Sequence, residues 1–88
     1  MKVVKWLDLH FEECLMVILL VLITVVSLLT AGGCEPQLEV HLHGALNTGL
    51  PPEKLVEALI QCVPYTGFPR VLNAVFAAKR VFEERGIA

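Results

Sequence analysis

The sequence predicts an all-α chain, with one long apolar N-terminal helix followed by three shorter helices. Three observations carry this expectation. A run without charge extends from Cys14 to Cys34 and is apolar on every side of a helix drawn through it. Downstream, Gly and Pro pairs separate three segments whose apolar residues recur with the helical period. No segment of useful length alternates as a strand would.

The first segment, Met1 to Glu13, mixes Lys2, Lys5, Asp8, Glu12 and Glu13 with apolar residues, among them Trp6, a side chain suited to a membrane interface. The run after it is long enough to span a bilayer, and equally suited to the centre of an oligomeric bundle. Its ending, LLTAGGC, is similar to a lipoprotein signal with Cys34 as the lipidated residue. Against that, the leader carries three acids to two lysines, and the run is long for a signal core.

Gly32 and Gly33 break the first helix, and Pro36 suits the first turn of a second, expected over Glu35 to Asn47. Leu38, Leu42, Ala45 and Leu46 fall on one face of it, with His41 at the edge. Gly49 is the natural left-handed residue after it. Pro51-Pro52-Glu53 opens a third helix with Leu55, Val56, Leu59, Ile60 and Val63 as its stripe, which Pro64 ends or kinks. Tyr65 to Pro69 is a corner. The last helix, about Pro69 to Arg85, carries Val71, Leu72, Val75, Phe76, Ala78, Lys79 and Phe82 at helical spacing, with Lys79-Glu83 and Arg80-Glu84 as i,i+4 pairs on a solvated face that also holds Arg70 and Arg85. Gly86 stops it.

Composition narrows the function. With 88 residues, 56% of them hydrophobic, and a mean hydropathy of +0.68, disorder is excluded and association is expected, because so short a chain cannot hide that much apolar surface alone. A net charge of -2 and no Lys/Arg cluster give no footprint for nucleic acid. Cys14, Cys34 and Cys62 form neither a disulfide framework nor a zinc motif, which suits a reducing compartment. His10, His41 and His43 lack the partners of a metal cluster. No metal or cofactor is expected.

A block of motifs adds a resemblance. His41-Leu42 with Gly44-Ala45-Leu46-Asn47, then Gly49-Leu50, Glu57 with Leu59-Ile60, Tyr65 with Gly67-Phe68-Pro69, and Leu72-Asn73-Ala74 resemble the carboxymuconolactone decarboxylase family, which also contains alkylhydroperoxidase-like enzymes. The resemblance covers about residues 22 to 86. It implies an alkylhydroperoxidase-like helical bundle, a homo-oligomer (trimer or hexamer), a cytoplasmic setting, and either lactone decarboxylation without a cofactor or a related peroxiredoxin-like activity around His41. Residues 1–26 are similar to the small membrane subunit of tripartite ATP-independent periplasmic transporters, which implies a lead, residues 1–21, fused to a domain over residues 22–88, with membrane contact through residues 14–34.

The family pattern transfers incompletely. Cys34 takes the first position of the family's CxxCxxxH segment and His41 the histidine position, but Gln37 stands where the second cysteine belongs. Cys34 therefore has no resolving thiol three residues on, and a dithiol peroxidase cycle cannot close. The preceding run offers no carboxylate for a proton relay, and Leu20 or Val21 stands where the family has an arginine to hold a carboxylate. What remains is His41 as the proton donor and Cys34 as a single reactive thiol, with His43 and Tyr65 as candidate ligand-binding side chains. The alternatives stay open: His41 as a buried or interface histidine, His43 as a solvated or interface residue, the cysteines as apolar fillers, Tyr65 as corner packing. The non-catalytic alternative is a helical oligomerisation module or a membrane-anchored remnant.

Overall fold

The computed structural model describes residues 2–87, and their side chains from Leu15 onward. Among these residues the chain is all-α. Helix α1 runs Lys2–Ala31, α2 Glu35–Asn47, α3 Pro52–Gln61, α4 Val63–Thr66 and α5 Phe68–Glu84. Four helices, not three, therefore follow the first. The extra one is α4, a single turn in which Pro64 lies in the first turn and tolerates the helix instead of ending it.

Glycine sets the boundaries where the backbone must turn left-handed. Gly32 (φ 74°) and Gly33 (φ 71°) stop α1, and the Gly32 N–H still donates to the Leu28 carbonyl at 3.2 Å. At the far end, Gly86 (φ 71°) closes a Schellman motif: its N–H donates to the Glu83 carbonyl at 3.2 Å, and the Ile87 N–H to Phe82 at 2.8 Å.

One core joins the elements. Val25 and Leu29 of α1, Leu38, Leu42 and Ala45 of α2, Leu55 and Leu59 of α3, and Val71, Ala74, Ala77, Ala78 and Val81 of α5 are buried together. The α5 contribution is mostly alanine, which lets its backbone approach α1 and α2 closely. This overturns part of the sequence reading. Leu72 and Phe76, expected in the stripe, are exposed, as is Ile60 of α3, because alanine-lined packing rotates α5 so that Phe68, Leu72 and Phe76 face away from the core.

The outer end of α1 is also uncovered: Leu15, Met16, Leu19, Leu20 and Ile23 are exposed. Two of the helix's hydroxyls are satisfied within it, since Thr24 donates to the Leu20 carbonyl at 3.1 Å and Ser27 to the Ile23 carbonyl at 2.7 Å. Among the described residues, no helix is long and apolar enough to cross a membrane. Of the run expected over residues 14–34, the helix takes in the part as far as Ala31, where the two glycines stop it. Side chains at its start, Cys14 included, and Trp6 lie outside the described residues.

Candidate functional site

The α1–α2 turn and the outer faces of α2 hold three of the four candidate residues, Cys34, His41 and His43. Cys34 is the N-cap of α2, half-buried, with no side-chain capping bond to the helix. Its thiol instead donates back across the turn to the Gly32 carbonyl at 3.4 Å. His41 lies two turns further along α2, and Cys34, Leu38 and His41 share one side by their i, i+4, i+7 spacing. Leu38 is buried and His41 exposed, so the side rises from the core at the middle of the helix. Among the described residues the His41 ring makes no recorded hydrogen bond or ion pair, and the buried alternative for it does not hold within one chain.

His43 is differently placed. It points along the α2–α5 edge, where its Nε2 lies 2.9 Å from Glu84 Oε2 and Arg85 Nη1 donates to its Nδ1 at 3.0 Å. A guanidinium has only donors, so Nδ1 must carry the lone pair and Nε2 the hydrogen that goes to Glu84. Arg85 also donates to Asn47 Oδ1 at 2.7 Å, and one turn back Arg80 pairs with Glu39. Glu39, His43 and Asn47 thus present one polar row to Arg80, Glu84 and Arg85 of a parallel-running α5.

This row replaces the intrahelical pairs expected on α5. Neither Lys79-Glu83 nor Arg80-Glu84 occurs among the described ion pairs, because α2 offers Arg80 and Glu84 better-placed partners across the interface. The four-residue spacing of Glu39, His43 and Asn47 was visible in the sequence as a possible signal, but its partner helix was not. His43 is engaged as a tie between α2 and the end of α5.

Tyr65, on α4, is 84% exposed, so within a single chain it closes no pocket. Its neighbour Thr66 brings a hydroxyl to 3.4 Å from that of Thr30, tying α4 to the end of α1. Arg70 lies at the same corner. A Cβ built on Gly32 would sit 3.0 Å from its Nε, 3.6 Å from its Cδ and 3.7 Å from its Cζ, so the guanidinium lies against the turn that carries Cys34. Sequence reasoning placed Arg70 on a solvated face and missed this contact, which depends on how α5 packs.

The grooves lie elsewhere. One of about 400 Å³ runs between α1 and α3, lined by Leu19, Leu22, Ile23, Val26 and Ala58, with Cys62 at its end. Burial pushes the Cys62 thiol up from its ordinary pKa, and it donates to the Ala58 carbonyl at 3.4 Å. Another groove, about 380 Å³, separates α3 from α5 beside Phe82 and Lys79. Neither is lined by His41 or Cys34. Among the described residues, no cluster of His, Cys, Asp or Glu could hold a metal ion.

The chain is 35% identical over 63 residues to a 4-carboxymuconolactone decarboxylase of Acinetobacter baylyi, an alignment that covers 72% of this chain and 47% of the relative. The chain thus spans about half the length of the curated relative it matches. No solved structure matches it. The family match begins at residue 6, ahead of Leu22 where the motif resemblance starts, and so runs through most of the segment likened to a transporter subunit. That second resemblance has no support. Short apolar helices are alike in composition whatever their origin, which is why the front end misled. Matched over residues 6–80 by the carboxymuconolactone decarboxylase family, the chain belongs to that family.

Proposed function

We propose that the chain is a diverged decarboxylase of a small carboxylated lactone, with His41 as the proton donor and no cofactor. The observation that carries this reading is the division of labour between the two α2 histidines. His43 is tied to Glu84 and Arg85, while His41, on the side of α2 that carries Cys34, is exposed and uncommitted among the described residues. The relative's named substrate adds the chemical class.

The chemistry balances without an oxidant. The bond from ring carbon to carboxylate breaks, carbon dioxide leaves, and the electron pair passes through the ring unsaturation to the lactone carbonyl as an enolate. A proton then returns to carbon. An imidazolium at His41 supplies that proton, and a general acid so placed contributes on the order of 10²- to 10⁴-fold. We read the helices as an alkylhydroperoxidase-like bundle, but with Gln37 in the second thiol position Cys34 has no dithiol cycle to run. A reducing, cytoplasmic setting goes with this reading, since Cys34 and Cys62 are both free thiols.

The exposed apolar rows on α1 and α5 support a homo-oligomer, a trimer or hexamer, as the working unit, because apolar area of this extent on so small a chain calls for cover. The same rows favour a second reading, a non-catalytic oligomerisation module. Incubating the purified chain with freshly prepared carboxymuconolactone, while following carbon dioxide release and light scattering together, separates the two. Turnover by an oligomer supports the decarboxylase; an oligomer without turnover leaves only the module.

A further inference from the structure

Arg70 combines two properties that the rest of the polar surface does not share. Its guanidinium lies against the α1–α2 turn, at a glycine where any side chain would intrude: the Cβ position of Gly32 is 3.0 Å from Nε. It also makes no recorded hydrogen bond or ion pair among the described residues. The other arginines at the α2–α5 edge are committed, Arg80 to Glu39 and Arg85 to His43 and Asn47, and Lys54 pairs with Glu57. A guanidinium presents five donors in a fixed fork that fits a carboxylate bidentately. At Arg70 that fork lies over the turn whose Gly32 carbonyl also accepts from the Cys34 thiol.

We propose that Arg70 is the carboxylate-binding residue of this chain, taking the carboxylate that a lactone acid keeps while His41 serves the carbon that loses one. This rests on the decarboxylase reading above. A muconolactone bearing an extra carboxyl group has two carboxylates, and they make opposite demands. The departing group becomes neutral carbon dioxide, so a cation holding it would favour the ground state over the transition state and slow the reaction. The retained carboxylate stays charged throughout. A cation there contributes binding and orientation at no cost to the chemical step. From Cys34 to His41 the helix rises about 10 Å, a span that a flexible arginine on one side and a lactone acid between them can bridge.

The test uses the full chain and two stable probes: paraconate, a butyrolactone bearing a carboxylate, and neutral γ-butyrolactone. Binding is followed by NMR titration in wild type, Arg70→Gln and Arg70→Lys. Wild type should prefer paraconate, with the largest shift changes at Gly32, Gly33 and Arg70. Arg70→Gln should weaken paraconate by about tenfold or more while leaving butyrolactone unchanged, and Arg70→Lys should fall between, since it keeps charge but loses the fork. A preference for paraconate that survives Arg70→Gln would overturn the assignment of Arg70 and leave the decarboxylase reading standing. Wild type without any preference would also overturn it, and carbon dioxide release would then judge the decarboxylase reading by itself.

Discussion

Replacing Gly32 with alanine tests the α1–α2 turn more sharply than any change in the core, because Gly33 provides a control one residue away. Both have nearly the same left-handed φ, 74° and 71°. An alanine at either should cost about 1–2 kcal/mol for the backbone alone. The surroundings differ: a Cβ at Gly33 meets nothing within 4 Å, whereas at Gly32 it comes 3.0 Å from Arg70 Nε. That atom belongs to a long side chain on an exposed residue, so Arg70 moves aside and adds only a few tenths of a kcal/mol. In urea titrations both variants should therefore lose about 1–2 kcal/mol, a drop of roughly 4–16 °C in Tm for a chain of this size. Only Gly32→Ala should displace Arg70, so it alone should weaken paraconate binding. In an Arg70→Ala background the two alanine variants should become equal in stability. If neither glycine variant loses stability, the left-handed turn is wrong. If both or neither weaken paraconate, the contact between Gly32 and Arg70 is not what positions the guanidinium.

Further outcomes follow from the packing and the polar row. Leu42→Ala, at a fully buried position, should destabilise the fold by about 2–5 kcal/mol in the same titration. His43→Ala should cost about 1 kcal/mol through the lost bonds to Glu84 and Arg85, while His41→Ala should stay within about 0.5 kcal/mol of wild type. Nitrogen NMR of His43 should show the hydrogen on Nε2, and an Nδ1–H form would contradict the Arg85 contact. Because burial raises the Cys62 thiol pKa, less of it is thiolate at neutral pH; in a Cys14→Ser, Cys34→Ser background it should alkylate more slowly than a cysteine peptide, with the rate climbing as pH rises toward the raised value.

Much of the fold is legible in the sequence because glycine and proline fix where helices begin and end. Glu35 to Asn47 as a helix, with Leu38, Leu42 and Ala45 inward, follows from Gly33, Pro36 and Gly49 with no tertiary information. What escaped depends on partners. Ala74 and Ala77 are as apolar as a stripe requires but small, and only the approach of α5 to its neighbours decides that they, and not Leu72 and Phe76, face inward. The α4 turn escaped for a different reason, since Pro64 reads as a breaker unless it falls in a first turn. The site was half legible. The motif resemblance pointed to Cys34 and His41, which α2 carries on one side, but the engagement of His43 and the position of Arg70 are set by α5, more than thirty residues away in the chain.

The central claim is that His41, and not His43, delivers the proton, and comparing decarboxylation of carboxymuconolactone by wild type, His41→Gln and His43→Gln tests it most directly. The account predicts carbon dioxide release by wild type, a loss of about 100-fold or more in kcat for His41→Gln, and a change within about threefold for His43→Gln once both variants are shown folded. Equal losses in the two variants, or release undiminished in His41→Gln, would contradict it.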